Sequence, residues 1–331
     1  MKRIAIIGAG LSGLILAREL REYADVVVFE KSRGVGGRLA TRRAAPWHFD
    51  HGAQFFTARS PEFRAVVEQW IASGDLDIWE ADFVEIDGNR VCFGRRWTRA
   101  VPHYVAVPGM NALGKRLAAG LDIRLQTRVA AVEHEAGAWC LRDAANMSLG
   151  TADWVVTACP APQSHALLPD CFIHRDALAS KRMVSCFALM LGLAEAPAIP
   201  WQAALLRNAD LSWISLSSAK PGRPEASAIV ALATNCWSEA HMEDDREQVA
   251  EHLLGEVRKI VGHGLPEILH RDLHRWRYAN IPTQRGERSL FDPGNRLAAC
   301  GDWCVYGRVE GAFASAMDLA QRLRPMLRSI D

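Results

Sequence analysis

The stretch IAIIGAGLSG, residues 4–13, decides the fold of this 331-residue chain. Its first four residues form a short apolar run with the composition of a buried parallel strand. The run leads directly into the pattern GxGxxG, and an apolar helical pattern follows from residue 14. A second apolar strand is predicted at 26–29. A strand, a glycine turn, a helix and a second strand in this order predict a Rossmann-type unit.

The glycine turn predicts a dinucleotide site. Gly8 permits the tight turn, Gly10 lets the backbone approach a pyrophosphate, and Gly13 lets the helix pack against the strand. The helix begins at Leu11 and Ser12, where unpaired backbone N–H groups face the phosphates. We therefore assign these five residues to cofactor binding.

The residues that follow the second strand indicate which dinucleotide binds. Glu30 closes that strand, where a carboxylate accepts hydrogen bonds from a ribose diol, and Lys31 comes next. A second glycine pair, Gly36-Gly37, and Arg38 then extend the site. An NAD-only domain does not need this extension, whereas the pyrophosphate and isoalloxazine of FAD must run over further backbone. We place Arg38 near the phosphates or the flavin edge.

A segment near the other end of the chain completes the predicted site. A strand at 296–300 leads to Gly301-Asp302, and Asp302 is placed to hold the ribityl chain or the pyrophosphate. The sequence GRVEGA, residues 307–312, then opens a helix, and Glu310, Gly311 and Ala312 form its first turn. The N-terminus of that helix directs its partial positive charge at the flavin, which becomes negative on reduction. The two halves together favour noncovalent FAD over NAD as the cofactor.

Three blocks of the sequence resemble the renalase family, particularly its bacterial members. They are FDHGAQFFTAR at 49–59, PGM at 108–110, and the segment from CGDW at 300–303 to EGA at 310–312. The likeness extends over residues 3–324. It implies an FAD protein of the glutathione-reductase-like class, in its amine-oxidase branch.

The resemblance implies an α/β fold with two parts. A Rossmann-type FAD-binding domain, with the topology of amine oxidases and of p-hydroxybenzoate hydroxylase, carries an inserted α+β substrate domain built on a mixed sheet. We assign residues 1–75, 105–165 and 290–331 to the FAD-binding domain, and 76–104 and 166–289 to the substrate domain.

The resemblance also implies further site residues. Gly52, Ala53, Gln54 and Phe55 of the first block are expected to contact the flavin, and the backbone of Val129 the adenine. The wall of the substrate site is predicted to include aromatic residues that stack on a pyridine ring. The candidate substrate-site residues are Phe55, Leu232, Trp237, Trp276, Tyr278 and Arg308.

The implied activity is that of an FAD-dependent oxidase acting on 2- or 6-dihydro isomers of NAD(P)H. Hydride passes to flavin N5, and molecular oxygen then takes the electrons as hydrogen peroxide. Phe55 and Leu232 stand where renalases usually have a tyrosine and a histidine, which leaves the substrate open. Hydride transfer from a dihydropyridine requires no general base, so correct placement against the flavin suffices.

Two alternatives remain open at this level. A flavin-containing amine oxidase would need a lysine beside the flavin, and of six lysines only Lys181 is placed for that role, since Lys220 lies in the turn KPGRP. Arg308 stands where amine oxidases commonly have a tyrosine; its guanidinium favours phosphate over a cationic amine, unless it pairs with Glu310. The second alternative is a noncatalytic flavin-binding or redox-sensing protein.

The composition excludes some classes of binding partner. The 39 basic and 38 acidic residues leave a net charge of +1, which disfavours nucleic acid and anionic membranes as partners. After the apolar stretch near the start of the chain, no apolar run approaches the roughly 18 residues that span a bilayer. The eight cysteines have no CxxC spacing and the histidines no convincing metal spacing, so we expect reduced thiols, no metal site and a cytoplasmic location.

Overall fold

The computed structural model describes residues 1–88 and 90–327. The predicted FAD-binding segment 290–331 therefore ends with four residues, 328–331, that lie outside the described part of the chain.

Runs of strands are separated by single helices or pairs of helices along the chain. The strands are β1 (Arg3–Ile7), β2 (Asp25–Phe29), β3 (Thr41–Ala44), β4 (Trp47–Asp50), β5 (Leu76–Ile78), β6 (Asp82–Asp87), β7 (Arg90–Arg96), β8 (Tyr104–Ala106), β9 (Asp122–Arg124), β10 (Ala131–Glu135), β11 (Ala138–Arg142), β12 (Ser148–Ala152), β13 (Trp154–Thr157), β14 (Val184–Leu193), β15 (Ala203–Arg207), β16 (Leu211–Leu216), β17 (Ala228–Ala233), β18 (Ile268–Asn280), β19 (Leu290–Asp292) and β20 (Leu297–Ala299). The α-helices are α1 (Leu11–Leu20), α2 (Pro61–Ala72), α3 (Asn111–Ala118), α4 (Ala161–Leu167), α5 (Arg175–Ala179), α6 (Asn235–Ala240), α7 (Arg246–Val261) and α8 (Val309–Leu327).

A six-stranded sheet forms the Rossmann part, in the order β19-β20-β13-β1-β2-β9. Its neighbours pair in parallel except β19 and β20. Ile4 and Ile6 of β1 point into a core shared with α1 and α8, whereas Ala5 and Ile7 point into a second core. Both faces are therefore covered, which explains why β1 is apolar from Ile4 to Ile7. The predicted Rossmann unit is confirmed.

A seven-stranded mixed sheet forms the second part, in the order β18-β14-β17-β16-β15-β6-β7. β15 pairs in parallel with β6, and all other neighbouring strands of this sheet pair antiparallel. The predicted mixed sheet is therefore confirmed. Helix α7 packs on one side, which we call the outer face, and contributes Val249 and Leu253 to an aliphatic core.

The opposite side, which we call the inner face, turns toward the Rossmann part. Met190 of β14 and Val230 of β17 pack there against Phe49 of β4. The indole N–H of Trp276 in β18 donates to the backbone oxygen of His51, which follows β4. The β3–β4 hairpin thus packs on the inner face of the seven-stranded sheet. None of the helices in residues 1–88 and 90–327 has the length and hydropathy to cross a bilayer.

Candidate active site

The turn between β1 and α1 has the geometry that phosphate binding requires. Gly8 has a φ of 114°, a conformation that side chains disfavour. A Cβ on Gly13 would lie 2.0 Å from the Gly8 carbonyl oxygen, so only glycine lets α1 pack there. A Cβ on Gly10 would meet no atom within 4 Å. Gly10 therefore faces open space, where the backbone can approach a pyrophosphate.

Glu30 and the second glycine pair close over this turn. The Glu30 carboxylate accepts from the backbone N–H groups of Ala9 and Ser32, both at 2.8 Å. The N–H of Gly36 donates to the Ala9 carbonyl oxygen at 2.8 Å, and Gly37 lies beside Gly10. The predicted glycine elements thus meet, and Glu30 fixes the turn through its carboxylate. Lys31 is exposed next to them.

Two contacts join the N-terminal and C-terminal halves of the site. Arg38 and Asp302 form a two-pronged ion pair, with Nη1 and Oδ2 2.8 Å apart, although 264 residues separate them. The Ser12 hydroxyl donates to the Ala312 carbonyl oxygen at 3.0 Å. The structure therefore brings the two predicted cofactor segments together.

The first turn of α8 is held by a contact that sequence reasoning missed. The carboxylate of Glu310 accepts from the backbone N–H groups of Arg59 and Ser60, at 3.0 and 2.7 Å. A Cβ on Gly311 would lie 2.2 Å from the Tyr306 carbonyl oxygen, so this turn requires glycine. Arg308 is exposed, and the contacts of Glu310 go to the backbone before α2.

The predicted flavin-contact loop, Gly52–Phe55, lies directly after β4. A Cβ on Gly52 would meet the Arg38 carbonyl oxygen at 2.0 Å, and the N–H of Ala53 donates to that oxygen at 3.0 Å. The side-chain oxygen of Gln54 accepts from the Ser215 hydroxyl at 3.0 Å. The loop is thus fixed to Arg38 on one side and to the seven-stranded sheet on the other.

Three of the predicted substrate residues lie toward the inner face. Trp213, Leu232, Ala188 and His274 are directly paired across four strands and point to the same side. Trp276 lies on that side two residues after His274, with ring centroids 4.2 Å apart. Phe55 packs against Trp213 with centroids 5.6 Å apart. Phe55, Leu232 and Trp276 therefore form one wall.

The structure places the other predicted residues elsewhere. Trp237 packs against Phe187 on the outer face, with centroids 6.0 Å apart, so it is not part of the inner wall. Tyr278 packs against the second core of the Rossmann part, and Arg308 is at the surface. The side chain of Val129 is buried in that same second core, and the contact of its backbone with adenine stays a prediction.

Two histidines on the inner side also escaped the sequence reasoning. The rings of His51 and His274 are 4.8 Å apart, and burial, together with the charge of Arg42, lowers the pKa of each to about 4. Both imidazoles are therefore neutral at pH 7. The alternation of β18 places His274 and Trp276 on the same side, so this signal was present in the sequence.

A buried charged cluster lies behind the loop and includes Lys220 of the KPGRP turn. Asp50, Lys220 and Arg223 have fully buried side chains. Arg223 donates two hydrogen bonds to Asp50, at 2.6 and 3.2 Å. Burial lowers the pKa of Lys220 to about 8, and the neighbouring cations Lys220 and Arg223 hold the pKa of Asp50 below its ordinary value. Lys181, by contrast, donates to Gln284. The turn sequence KPGRP carries no signal for this burial.

The cysteines near Asp302 are packing residues. Cys300 and Cys304 are buried, and burial raises the pKa of the Cys304 thiol to about 12 and that of the Cys159 thiol to about 11. These thiols stay protonated at neutral pH and are poor nucleophiles. All eight cysteines, each within the described residues, are free thiols.

The residues present fit FAD. Open space at Gly10, the glycine pair beside it and the Arg38–Asp302 pair provide a cradle for a dinucleotide pyrophosphate. The loop Gly52–Phe55 lies between that cradle and the inner wall, where an isoalloxazine would rest.

Comparisons with known proteins agree with this geometry. Residues 6–70 match the family model of the NAD(P)-binding Rossmann-like domain. Renalase of Mus musculus is 23% identical over 98% of this chain and 99% of its own length. Two solved structures share the fold at 14% identity, each covering 98% of this chain and 99% of the other. They are a protein of Exiguobacterium sp. 255-15 solved as a candidate protoporphyrinogen oxidase, with a TM-score of 0.78, and cyclohexylamine oxidase from Brevibacterium oxydans IH-35A, with a TM-score of 0.74.

The family follows from the remaining match. Residues 71–324, most of the chain, match the model of the flavin containing amine oxidoreductases. Together with the fitted cradle, this establishes FAD as the cofactor and oxidoreduction as the chemistry. The chain belongs to the flavin-containing amine oxidoreductase family and is an FAD-dependent oxidoreductase.

Proposed function

We propose that this enzyme is an oxidase of renalase type that acts on 2- or 6-dihydro isomers of NAD(P)H. The resemblance of the sequence blocks to renalases supports the proposal, as does the full-length similarity to mouse renalase. Bound FAD supplies the two-electron acceptor for the hydride, and molecular oxygen then regenerates it with release of hydrogen peroxide.

The aromatic inner wall is the observation that carries the proposal. Phe55, Leu232 and Trp276 present apolar and aromatic surface, and the neighbouring His51 and His274 are neutral at pH 7. A dihydropyridine ring is planar and uncharged, so it stacks on such a surface without a charged partner. Its oxidation releases a hydride and leaves no proton for a side chain to remove. The carboxylate beside this wall, Asp272, is held in an ion pair with Arg42.

Arg308 is the residue we propose for the dinucleotide phosphates. Its side chain is exposed just before the first turn of α8, and the carboxylate of Glu310 is bound by Arg59 and Ser60 instead. A guanidinium binds phosphate through two parallel hydrogen bonds. The predicted cofactor residues and domain limits stay part of this proposal. So does a cytoplasmic location, which agrees with the eight free thiols.

The test is anaerobic mixing of the FAD-loaded protein with each candidate reductant. We expect 2- or 6-dihydro-NAD(P) to bleach the blue absorption band of the oxidised flavin rapidly, and air to restore it with release of hydrogen peroxide. Bleaching by ordinary NAD(P)H alone would identify a reductase and contradict the proposal. Absence of bleaching by any compound would favour a noncatalytic flavin-binding protein.

Amine oxidation is the second candidate, and one observation favours it. An amine oxidase needs a lysine beside the flavin, and Lys220 is a buried lysine in contact with Gln54 of the flavin-contact loop. The sequence predicted Lys181 for this role, but Lys181 donates to Gln284. The same anaerobic experiment with primary and secondary amines decides between the two. Bleaching by an amine, and not by a dihydronicotinamide, would establish the second candidate.

A further inference from the structure

Lys220 is a buried cation that shares the carboxylate of Asp50 with Arg223. Asp50 lies 3.5 Å from its ammonium nitrogen, but Arg223 donates two hydrogen bonds to that carboxylate. The other Asp50 oxygen accepts from the Thr41 hydroxyl and the Met110 N–H, at 2.6 and 3.0 Å. Asp50 and Arg223 therefore neutralise each other, and Lys220 leaves the cluster with one surplus positive charge.

The neutral partners of Lys220 point to the cofactor site. Its ammonium group donates to the side-chain oxygen of Gln54 at 3.2 Å and lies 5.2 Å from the centre of the Trp79 ring. The amide nitrogen of Gln54 donates to the carbonyl oxygens of Asp50 and Gly52, at 2.5 and 3.0 Å. The lysine thus binds the Gln54 side chain, whose hydrogen bonds to backbone oxygens stabilise the loop Gly52–Phe55.

Folding stability does not account for this lysine. A buried cation is costly unless a charged partner compensates it, and burial is the dominant influence on Lys220, whose pKa falls to about 8. A methionine of similar volume would leave the neutral pair of Asp50 and Arg223 intact. A residue that disfavours the fold while holding a cofactor loop points to a role in the loaded protein.

We propose that Lys220 is a positioning residue of the FAD site, which holds the loop Gly52–Phe55 through Gln54 and supplies a positive charge to the electron-rich reduced flavin. The proposal rests on the proposed placement of the flavin against this loop and not on the identity of the substrate. A positive charge near the flavin favours the reduced, negatively charged form.

The experiment compares Lys220→Met with Lys115→Met, an exposed lysine on α3 that controls for net charge. We expect Lys220→Met to raise the dissociation constant of FAD about tenfold or more, which is the effect of one lost interaction near 1.4 kcal/mol. The FAD-free variant should unfold at the same or a higher urea concentration than the wild type. The reduction potential of bound FAD should become more negative.

A second variant separates charge from position. Gln54→Glu keeps a side-chain oxygen near Lys220 but supplies the missing carboxylate. We expect it to retain FAD and to lower the reduction potential as Lys220→Met does. An unchanged potential in both variants, or a Lys220→Met protein that loses stability without FAD, would overturn the proposal. Neither result depends on which substrate bleaches the wild-type flavin.

The pH dependence of stability gives an independent readout. The pKa of Lys220 is about 8 in the fold and 10.5 in the unfolded chain, so the unfolded chain binds more protons between these values. Its contribution therefore raises stability as the pH increases from about 8 to 10.5. The groups facing Lys220 are the charged Asp50 and Arg223 and the uncharged Gln54 and Trp79. Lys220→Met should remove this rise, and an identical slope in both proteins would contradict a surplus buried cation.

Discussion

The inner and outer faces of the seven-stranded sheet are built from the same strands but do different work. On β18, His274 and Trp276 point inward, while Leu273 and Arg275 point outward. The inner face presents aromatic rings and neutral imidazoles, with the ion pair of Arg42 and Asp272 beside them. The outer face is a mostly aliphatic core closed by α7, with Phe187 and Trp237 in it. Period-two alternation thus lets one strand serve the site and the stability of the fold at once.

The two sides also place their charges differently. The inner side buries Asp50 with Arg223 behind the flavin-contact loop. The outer side keeps its charges at the rim, where Arg271 pairs with Glu247 and Glu251. A buried charge that loses its partner lowers the free energy of unfolding strongly, whereas a charge at the rim is solvated and loses little. The strongest tests of this contrast therefore start with the buried carboxylate.

Asp50→Asn should have the largest effect. It leaves Lys220 and Arg223 buried without a counter-charge, and such a loss costs about 3–5 kcal/mol of unfolding free energy. Urea unfolding of the FAD-free protein measures it. Because the fold holds the pKa of Asp50 below 3.8, its contribution is present above pH 3.8 and is lost as the pH falls below that value. A loss below about 1 kcal/mol would show that the cluster is solvated.

Trp276→Ala and Trp237→Ala sharpen the comparison of the faces. Both indoles are half-buried, so each truncation should cost about 2 kcal/mol of stability, less than the 3–5 kcal/mol of a fully buried tryptophan. Only Trp276→Ala should also slow flavin reduction, by about tenfold or more, because it removes stacking surface from the inner wall. Stopped-flow reduction measures this difference. Equal rates in the two variants would contradict the assignment of the faces.

His274→Gln tests the neutral imidazoles of the inner side. The pKa of His274 is about 4 in the fold and 6.5 in the unfolded chain, so the unfolded chain binds more protons between these values. Its contribution to stability is complete above pH 6.5 and is lost as the pH falls toward 4. The variant should lose less stability than the wild type over this range. Parallel curves from chemical unfolding at several pH values would rule out a buried neutral imidazole.

Arg271→Gln should have the smallest effect. Its guanidinium pairs with two exposed carboxylates at the outer rim, and such pairs contribute about 0–1 kcal/mol. We expect a loss of this size that shrinks further at high salt, since screening weakens exposed pairs. A loss as large as that of Asp50→Asn would remove the contrast between buried and rim charges.

Much of the cofactor half could be predicted from the sequence because its signals are local. The roles of Gly8, Gly10 and Gly13 depend on backbone geometry within one turn. The structure shows a positive φ at Gly8, a close backbone contact at Gly13 and open space at Gly10. The C-terminal helix turn was predictable for the same reason. The partners of Glu310 were not, because the backbone of Arg59 and Ser60 reaches it only after the two halves pack.

The substrate half was harder to predict because its geometry is set at a distance. Trp237 follows β17 closely, but Thr234 caps α6 and the chain turns there, so the strand alternation does not extend to the indole. Lys220 and Arg223 belong to a turn whose sequence is typical of an exposed segment. In the structure both side chains are buried beside Asp50. No local sequence pattern indicates which turn will be buried against a carboxylate that is distant in the chain.

The ion pair of Arg38 and Asp302 has a consequence for biosynthesis. A ribosome makes the glycine turn of β1 and α1 early, but Asp302 is translated only 264 residues after its partner Arg38, and the first turn of α8 follows it. A nascent chain therefore cannot complete its flavin cradle while most of the protein is still being translated. Completion of the cradle for the cofactor is therefore a late event in synthesis.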